Sequence, residues 1–80
     1  MDILIFTKSG CFFSKEAVRF CKKHNIKSRV YSIDLYGPEN IVKELRRLNK
    51  VPKQNKITFP IIFIDEKYIG GNEELQKFYS

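Results

Sequence analysis

Apolar and polar positions alternate between two periods along this chain, and the switches between them mark its elements. Ile3-Leu4-Ile5-Phe6 is a short apolar run that predicts a buried strand over residues 2–7. From residue 12 to 24 the period becomes helical, with Phe13, Ala17, Phe20, Cys21 and His24 at three- and four-residue spacing on one face. Asn25 then suits a left-handed cap, with Ile26 as the apolar contact that follows it. Val30 to Asp34 reads as a second strand. Gly37-Pro38 opens a second helix with proline at an early position, and Ile41, Val42, Leu45 and Leu48 share its apolar face. Residues 50–57 form a polar loop.

Pro60-Ile61-Ile62-Phe63-Ile64 predicts a third strand, and Asp65-Glu66-Lys67 turns the chain into Tyr68-Ile69 as a hairpin. Gly70-Gly71 breaks the pattern. Asn72 is a suitable N-cap, Glu73-Glu74 favour a first helical turn, and a last short helix runs to Ser80. The order β-α-β-α-β-β-α implies an α/β fold with one mixed four-stranded sheet and three helices. Its first crossover is parallel and expected to be right-handed. Eighty residues without repeat, linker or low-complexity tract are expected to form a single domain, residues 1–80.

Composition narrows the class. At 42% hydrophobic and 14% aromatic the chain holds enough apolar side chains to fold. The apolar stretches 3–6 and 59–64 are too short to span a bilayer, so no membrane role is expected. No cationic segment followed by an apolar one opens the chain, which argues against secretion. Two cysteines are too few for a disulfide scaffold, and a reducing, cytoplasmic setting is the expectation. The net charge of +6 favours anionic partners, although the lysines are spread along the chain and serve solubility first. No nucleic-acid motif or clustered basic arm accompanies them, so nucleic acid is not an expected partner. A monomer is expected.

The chemistry centres on Cys11. It stands where the first strand hands over to the first turn of a helix, whose unpaired N–H groups and positive dipole end stabilise an anion. Lys8 lies three residues upstream. A cysteine so placed is expected to be a thiolate near neutral pH, and the thiolate is the reactive form. If residues 11–24 are one helix, Cys11 and Cys21 lie roughly 15 Å apart. A disulfide needs Cα atoms within about 7 Å, so they cannot pair, and Cys21 reads as a small buried apolar residue. A zinc site from Cys11, Cys21 and His24 fails on the same distance and lacks a fourth ligand.

Three separated segments together carry a family resemblance: Cys11-Phe12-Phe13-Ser14 after the first strand, Thr58-Phe59-Pro60 before the third, and Gly70-Gly71-Asn72-Glu73 before the last helix. With the run Ile62-Phe63-Ile64-Asp65 and the element order, they resemble the glutaredoxins over essentially the whole chain. The resemblance implies a thioredoxin-like fold and glutathione-dependent thiol–disulfide exchange, chiefly the reduction of protein–glutathione mixed disulfides and small disulfides. Cys11 would be the nucleophile, forming a glutathionylated intermediate released by a second glutathione. Lys8, Ser14 and Pro60 would support it.

Pro60 would be cis and face Cys11, with the Phe59 backbone meeting the glutathione cysteine like an added strand. An ordinary strand-opening proline is the plainer reading of that residue. Gly71, Asn72 and Glu73 would receive the γ-glutamyl carboxylate, with Glu73 or Glu74 meeting the ligand's ammonium. Lys8 and Lys56 are candidates for the glycyl carboxylate, and Thr58 belongs to the same wall. Phe13 stands beside the groove in the family pattern, or else is plain core at the start of the helix face.

The chain departs from the family's C-P-Y-C motif at two positions. Phe12 replaces the proline, and Ser14 replaces the second cysteine, so the two-thiol route to protein disulfides is closed while the one-thiol route survives. The Ser14 hydroxyl can still donate to the thiolate. Nor is the motif the C-G-F-S of cluster-binding relatives. Glutathione is therefore the expected co-substrate with no metal, and a glutathione-ligated 2Fe–2S homodimer is the alternative.

Overall fold

A computed structural model describes residues 1–53 and 56–80. Part of the expected polar loop at 50–57, positions 54 and 55, lies outside the described residues. The elements are β1 (Ile3–Thr7), α1 (Phe12–Lys23), β2 (Arg29–Ser32), α2 (Pro38–Arg47), β3 (Ile61–Ile64), β4 (Lys67–Gly70) and α3 (Asn72–Phe78). Their order is the one the apolar pattern predicts. The sheet runs β2-β1-β3-β4, with β1 parallel to β2 and antiparallel to β3, and β3 antiparallel to β4.

Helices cover both faces of the two central strands, which is why β1 and β3 read as continuous apolar runs. Side chains alternate across the pleat. Ile3, Ile5, Ile62 and Ile64 pack with Ala17, Cys21 and Leu75 from α1 and α3. Ile61 and Phe63, with Leu4 and Phe6, face the opposite way and meet Leu45, Ile41 and Val42 of α2 together with Val51. All four residues of β3 are buried.

Local expectations are met in part. Asn25 is left-handed, with φ of 54°, and the Ile26 N–H donates to the Cys21 carbonyl at 2.8 Å, closing α1 as its cap pattern implies. Pro38 occupies the first turn of α2. Asp65 and Glu66, both at positive φ, form the β3–β4 turn between them, and Lys67 already belongs to β4.

Other boundaries shift, each for a physical reason. β2 spans 29–32 and not 30–34. It is an edge strand whose four residues are all exposed, so no buried face marks its ends, and buried Ile33 follows it as a plug. Phe13 and His24 are exposed and do not belong to the buried face of α1, which is Ser14, Ala17 and Cys21. Leu48 ends α2 half-exposed and off its buried face. Gly71, not Asn72, caps α3, because the Glu74 side chain reaches back to accept from the Gly71 N–H at 2.8 Å. That helix ends at Phe78, two residues before Ser80.

Ile62→Ala, which opens a void in the fully buried centre, is expected to cost about 2–5 kcal/mol in urea unfolding. Val30→Ala on the exposed edge should cost about 0.5 kcal/mol or less. Similar losses at both sites would contradict this division between core and edge.

Candidate active site

The antiparallel register of β1 and β3 pairs Phe6 with Ile61, so the chain leaving β1 and the chain entering β3 meet at one end of the sheet. Cys11 arrives there from β1 through Lys8-Ser9-Gly10. Phe59 arrives from the other side, and the Cys11 sulfur lies 3.6 Å from its carbonyl oxygen. The Phe59–Pro60 peptide bond is cis. Pro60 itself is buried behind Phe59, with the start of α3 against it: a Cβ on Gly71 would stand 3.4 Å from the Pro60 carbonyl oxygen. Gly70 has φ of +123°, a backbone conformation that other residues adopt only with strain, and a Cβ there would also stand 2.6 Å from the Glu74 carboxylate and displace it.

Cys11 is the N-cap of α1, with Gly10 at φ of 75° turning the chain into it. The first turn of α1 carries no acidic side chain, unlike α2 with Glu39 or α3 with Glu73 and Glu74. The positive end of α1 is thus left for the sulfur. Partial burial pushes the Cys11 thiol up and is the largest single influence. The Ser14 hydroxyl, the Ser14 and Phe13 N–H groups and the Lys8 charge together outweigh it, and the thiol sits below its ordinary value.

Ser14 is buried, and its oxygen accepts from the Lys8 N–H at 3.3 Å. The hydroxyl keeps its proton to offer to the sulfur, and it is the largest of the influences that lower the Cys11 thiol. The contact to the Phe59 carbonyl suits only the protonated thiol, which can donate, whereas the Ser14 and backbone donors suit the thiolate. Cys21, at the other end of α1, is buried and free, and burial raises its thiol.

Ser9 fastens this loop to the rest of the molecule. Its N–H donates to Asp34 at 3.0 Å, and its hydroxyl donates to the same carboxylate. These bonds, with that from Ser32, hold Asp34 below the usual carboxylate range. Nothing in the local sequence marks this tie, which joins residues 25 positions apart.

A groove of about 760 Å³ opens beside Cys11. Lys8, Lys56, Thr58 and Phe59, all expected there, line it. Its far wall is α2, with Glu39, Lys43 and Arg46, which the sequence pattern does not single out, and Val42 from the apolar face. Positions 39, 43 and 46 recur at helical spacing, the signal that places them on one side of α2. Phe13 does not line the groove. It points outward against Phe12, ring centroids 5.6 Å apart and nearly perpendicular. Gly71 adjoins Pro60, and Gly71, Asn72 and Glu73 all lie outside the groove walls. Glu74 is occupied by the Gly71 N–H, and Glu73 pairs with Lys77 at 3.3 Å in an exposed setting.

Comparison with known proteins agrees with this geometry. The family model described as Glutaredoxin matches residues 3–69. Glutaredoxin-2 of Schizosaccharomyces pombe is 33% identical over 78 residues, covering 98% of this chain and 67% of that protein. Glutaredoxin 1 of Rickettsia bellii is 29% identical over 73 residues, covering 91% and 71%. Among solved structures, glutaredoxin 1 from Francisella tularensis, crystallised with cacodylate, superposes with a TM-score of 0.77 at 30% identity, covering 98% of this chain and 91% of that one. Reduced Escherichia coli glutaredoxin gives 0.73 at 25% identity, covering 98% and 92%. This chain belongs to the glutaredoxin family, within the thioredoxin-fold superfamily, and so to the thiol–disulfide oxidoreductases.

Proposed function

We propose that the protein reduces mixed disulfides between glutathione and protein or small thiols, using Cys11 alone and working as a monomer in a reducing compartment such as the cytoplasm. The observation that carries this reading is the pairing of a stabilised Cys11 sulfur with Ser14, a donor that cannot form a disulfide. The Cys11 thiolate attacks the glutathione sulfur of the mixed disulfide. A Cys11–glutathione disulfide forms, the partner's sulfur leaves as a thiolate, and solvent supplies its proton. A second glutathione thiolate then attacks the bound glutathione sulfur. Cys11 leaves as a thiolate and oxidised glutathione departs.

Groove chemistry suits glutathione. Lys8, Lys43 and Lys56 offer cations to the glycyl carboxylate, and the Thr58 and Phe59 backbone lies beside the sulfur to meet the cysteinyl unit. On this reading the γ-glutamyl carboxylate reaches beyond the groove to the first-turn N–H groups at Asn72 and Glu73, with Glu73 near its ammonium. A low thiol pKa helps twice, since Cys11 is the attacking group in the first step and the leaving group in the second.

Cys11→Ser is expected to abolish turnover of a glutathione mixed disulfide, while Cys21→Ala retains it; activity surviving in Cys11→Ser would refute the assignment. Ser14→Ala removes the hydroxyl donor, so the midpoint of the pH profile of kcat/KM should move upward and the rate at neutral pH should fall. An unmoved profile would show that Ser14 does not hold the sulfur. Lys43→Glu with Lys56→Glu should raise KM for glutathione on the order of tenfold with kcat nearly unchanged, each charge contributing about 0.5–1 kcal/mol.

A further inference from the structure

A second trough lies on the other side of Cys11, between the outer face of α1 and β2. Val18 and Val30 form its floor. Lys15, Arg19 and Lys22, at four- and three-residue spacing, put one row of cations along it, and Lys8 closes the end next to Cys11. No carboxylate lines it. Arg19 meets Glu16 at 3.2 Å in an exposed pair, whereas no ion pair engages Lys8, Lys15 or Lys22 among the described residues. Four cations over an apolar floor, three of them outside any ion pair among the described residues, favour an anionic occupant.

The opposite wall defines the shape of that occupant. β2 is an edge strand, and among the described residues no strand pairs with its outer side. The Ile33 N–H donates inward to the Thr7 carbonyl at 2.9 Å. Backbone polar groups point to opposite sides at successive residues, so Val30 and Ser32 turn their N–H and C=O groups outward. Such an edge is a template for an added strand. Neither proline nor a bulge interrupts it, and Val30 and Tyr31 are about half-exposed on it.

We propose that this trough docks an extended acidic segment of a partner protein, which adds to β2 as a fifth strand and lays its carboxylates over Lys15, Arg19 and Lys22. The cation row spans about 10.5 Å from Lys15 to Lys22 along the helix, long enough to meet two acidic side chains on one face of a strand, which recur every ~7 Å. Main-chain bonding to the edge supplies affinity, and the cation row selects acidic side chains. Lys8 also borders the Cys11 groove, so a docked segment ends beside the sulfur. Selection of disulfide partners by this trough rests on the reading of Cys11 above; the docking itself does not.

The test uses the isotopically labelled full chain, reduced, and a cysteine-free peptide of alternating glutamate and valine, followed by NMR at physiological ionic strength. Saturable binding is expected, with shifts confined to residues 15–22 and 29–32 and slowed amide exchange at Val30 and Ser32. N-methylation of one alternate set of peptide amides should abolish binding while the other set leaves it intact. Lys15→Glu with Lys22→Glu should weaken it at least tenfold. The proposal is overturned by an absence of saturable binding, by indifference to both methylation patterns, or by shifts centred on the Cys11 groove. Equal affinity for a single-stranded oligonucleotide would also overturn it, revealing a general polyanion face. Because the peptide carries no sulfur, these outcomes are independent of turnover at Cys11.

Discussion

The antiparallel pairing of β1 with β3 is the constraint on which the site depends. Both strands are buried and helices clamp both of their faces, so a slip of one residue would turn Ile5 and Ile62 out of one core and into the other. That penalty fixes the register at Phe6 opposite Ile61. With the register fixed, the end of β1 and the start of β3 emerge side by side, and Cys11 stands against Phe59 without any direct bond between their elements having to create the contact.

Electrostatics then act on a sulfur that packing has already placed. The α1 N-terminus has donors and no acidic side chain of its own to satisfy them, so the negative charge it favours is that of Cys11. Ser14 accepts from the loop backbone and leads the influences that lower the Cys11 thiol. Asp34 fastens Ser9 to the end of β2 and so holds the approach to Cys11 from outside the helix. Burial opposes the charge, and the thiol is nonetheless lowered because several modest donors act on one atom.

Much of this is legible in the sequence because the decisive signals are local. The apolar run at 3–6, Gly10 before Cys11, Asn25 before Ile26 and the Phe59-Pro60 step each declare themselves within a few residues. The remainder depends on contacts that no short window contains. The bounds of β2 differ from its sequence pattern because an exposed edge strand has no buried period to read. Phe13 and His24 fit the helical spacing, yet the sheet meets α1 along Ser14, Ala17 and Cys21, and their side of the helix faces solvent. Asn72 is a good cap residue, but Glu74 reaching back to Gly71 starts the helix one residue earlier. The α2 wall of the groove appears only when Lys43 and Arg46 are folded over Thr58 and Phe59.

The charge on one sulfur is the centre of the account, and it can be observed without any assay of turnover. The Cβ chemical shift of Cys11, followed by NMR across a pH titration of the reduced protein, reports its ionisation directly. The account predicts a midpoint below the ordinary thiol value of about 8.5, with Cys21 remaining protonated through that transition. A Cys11 that titrates at or above that value would contradict it.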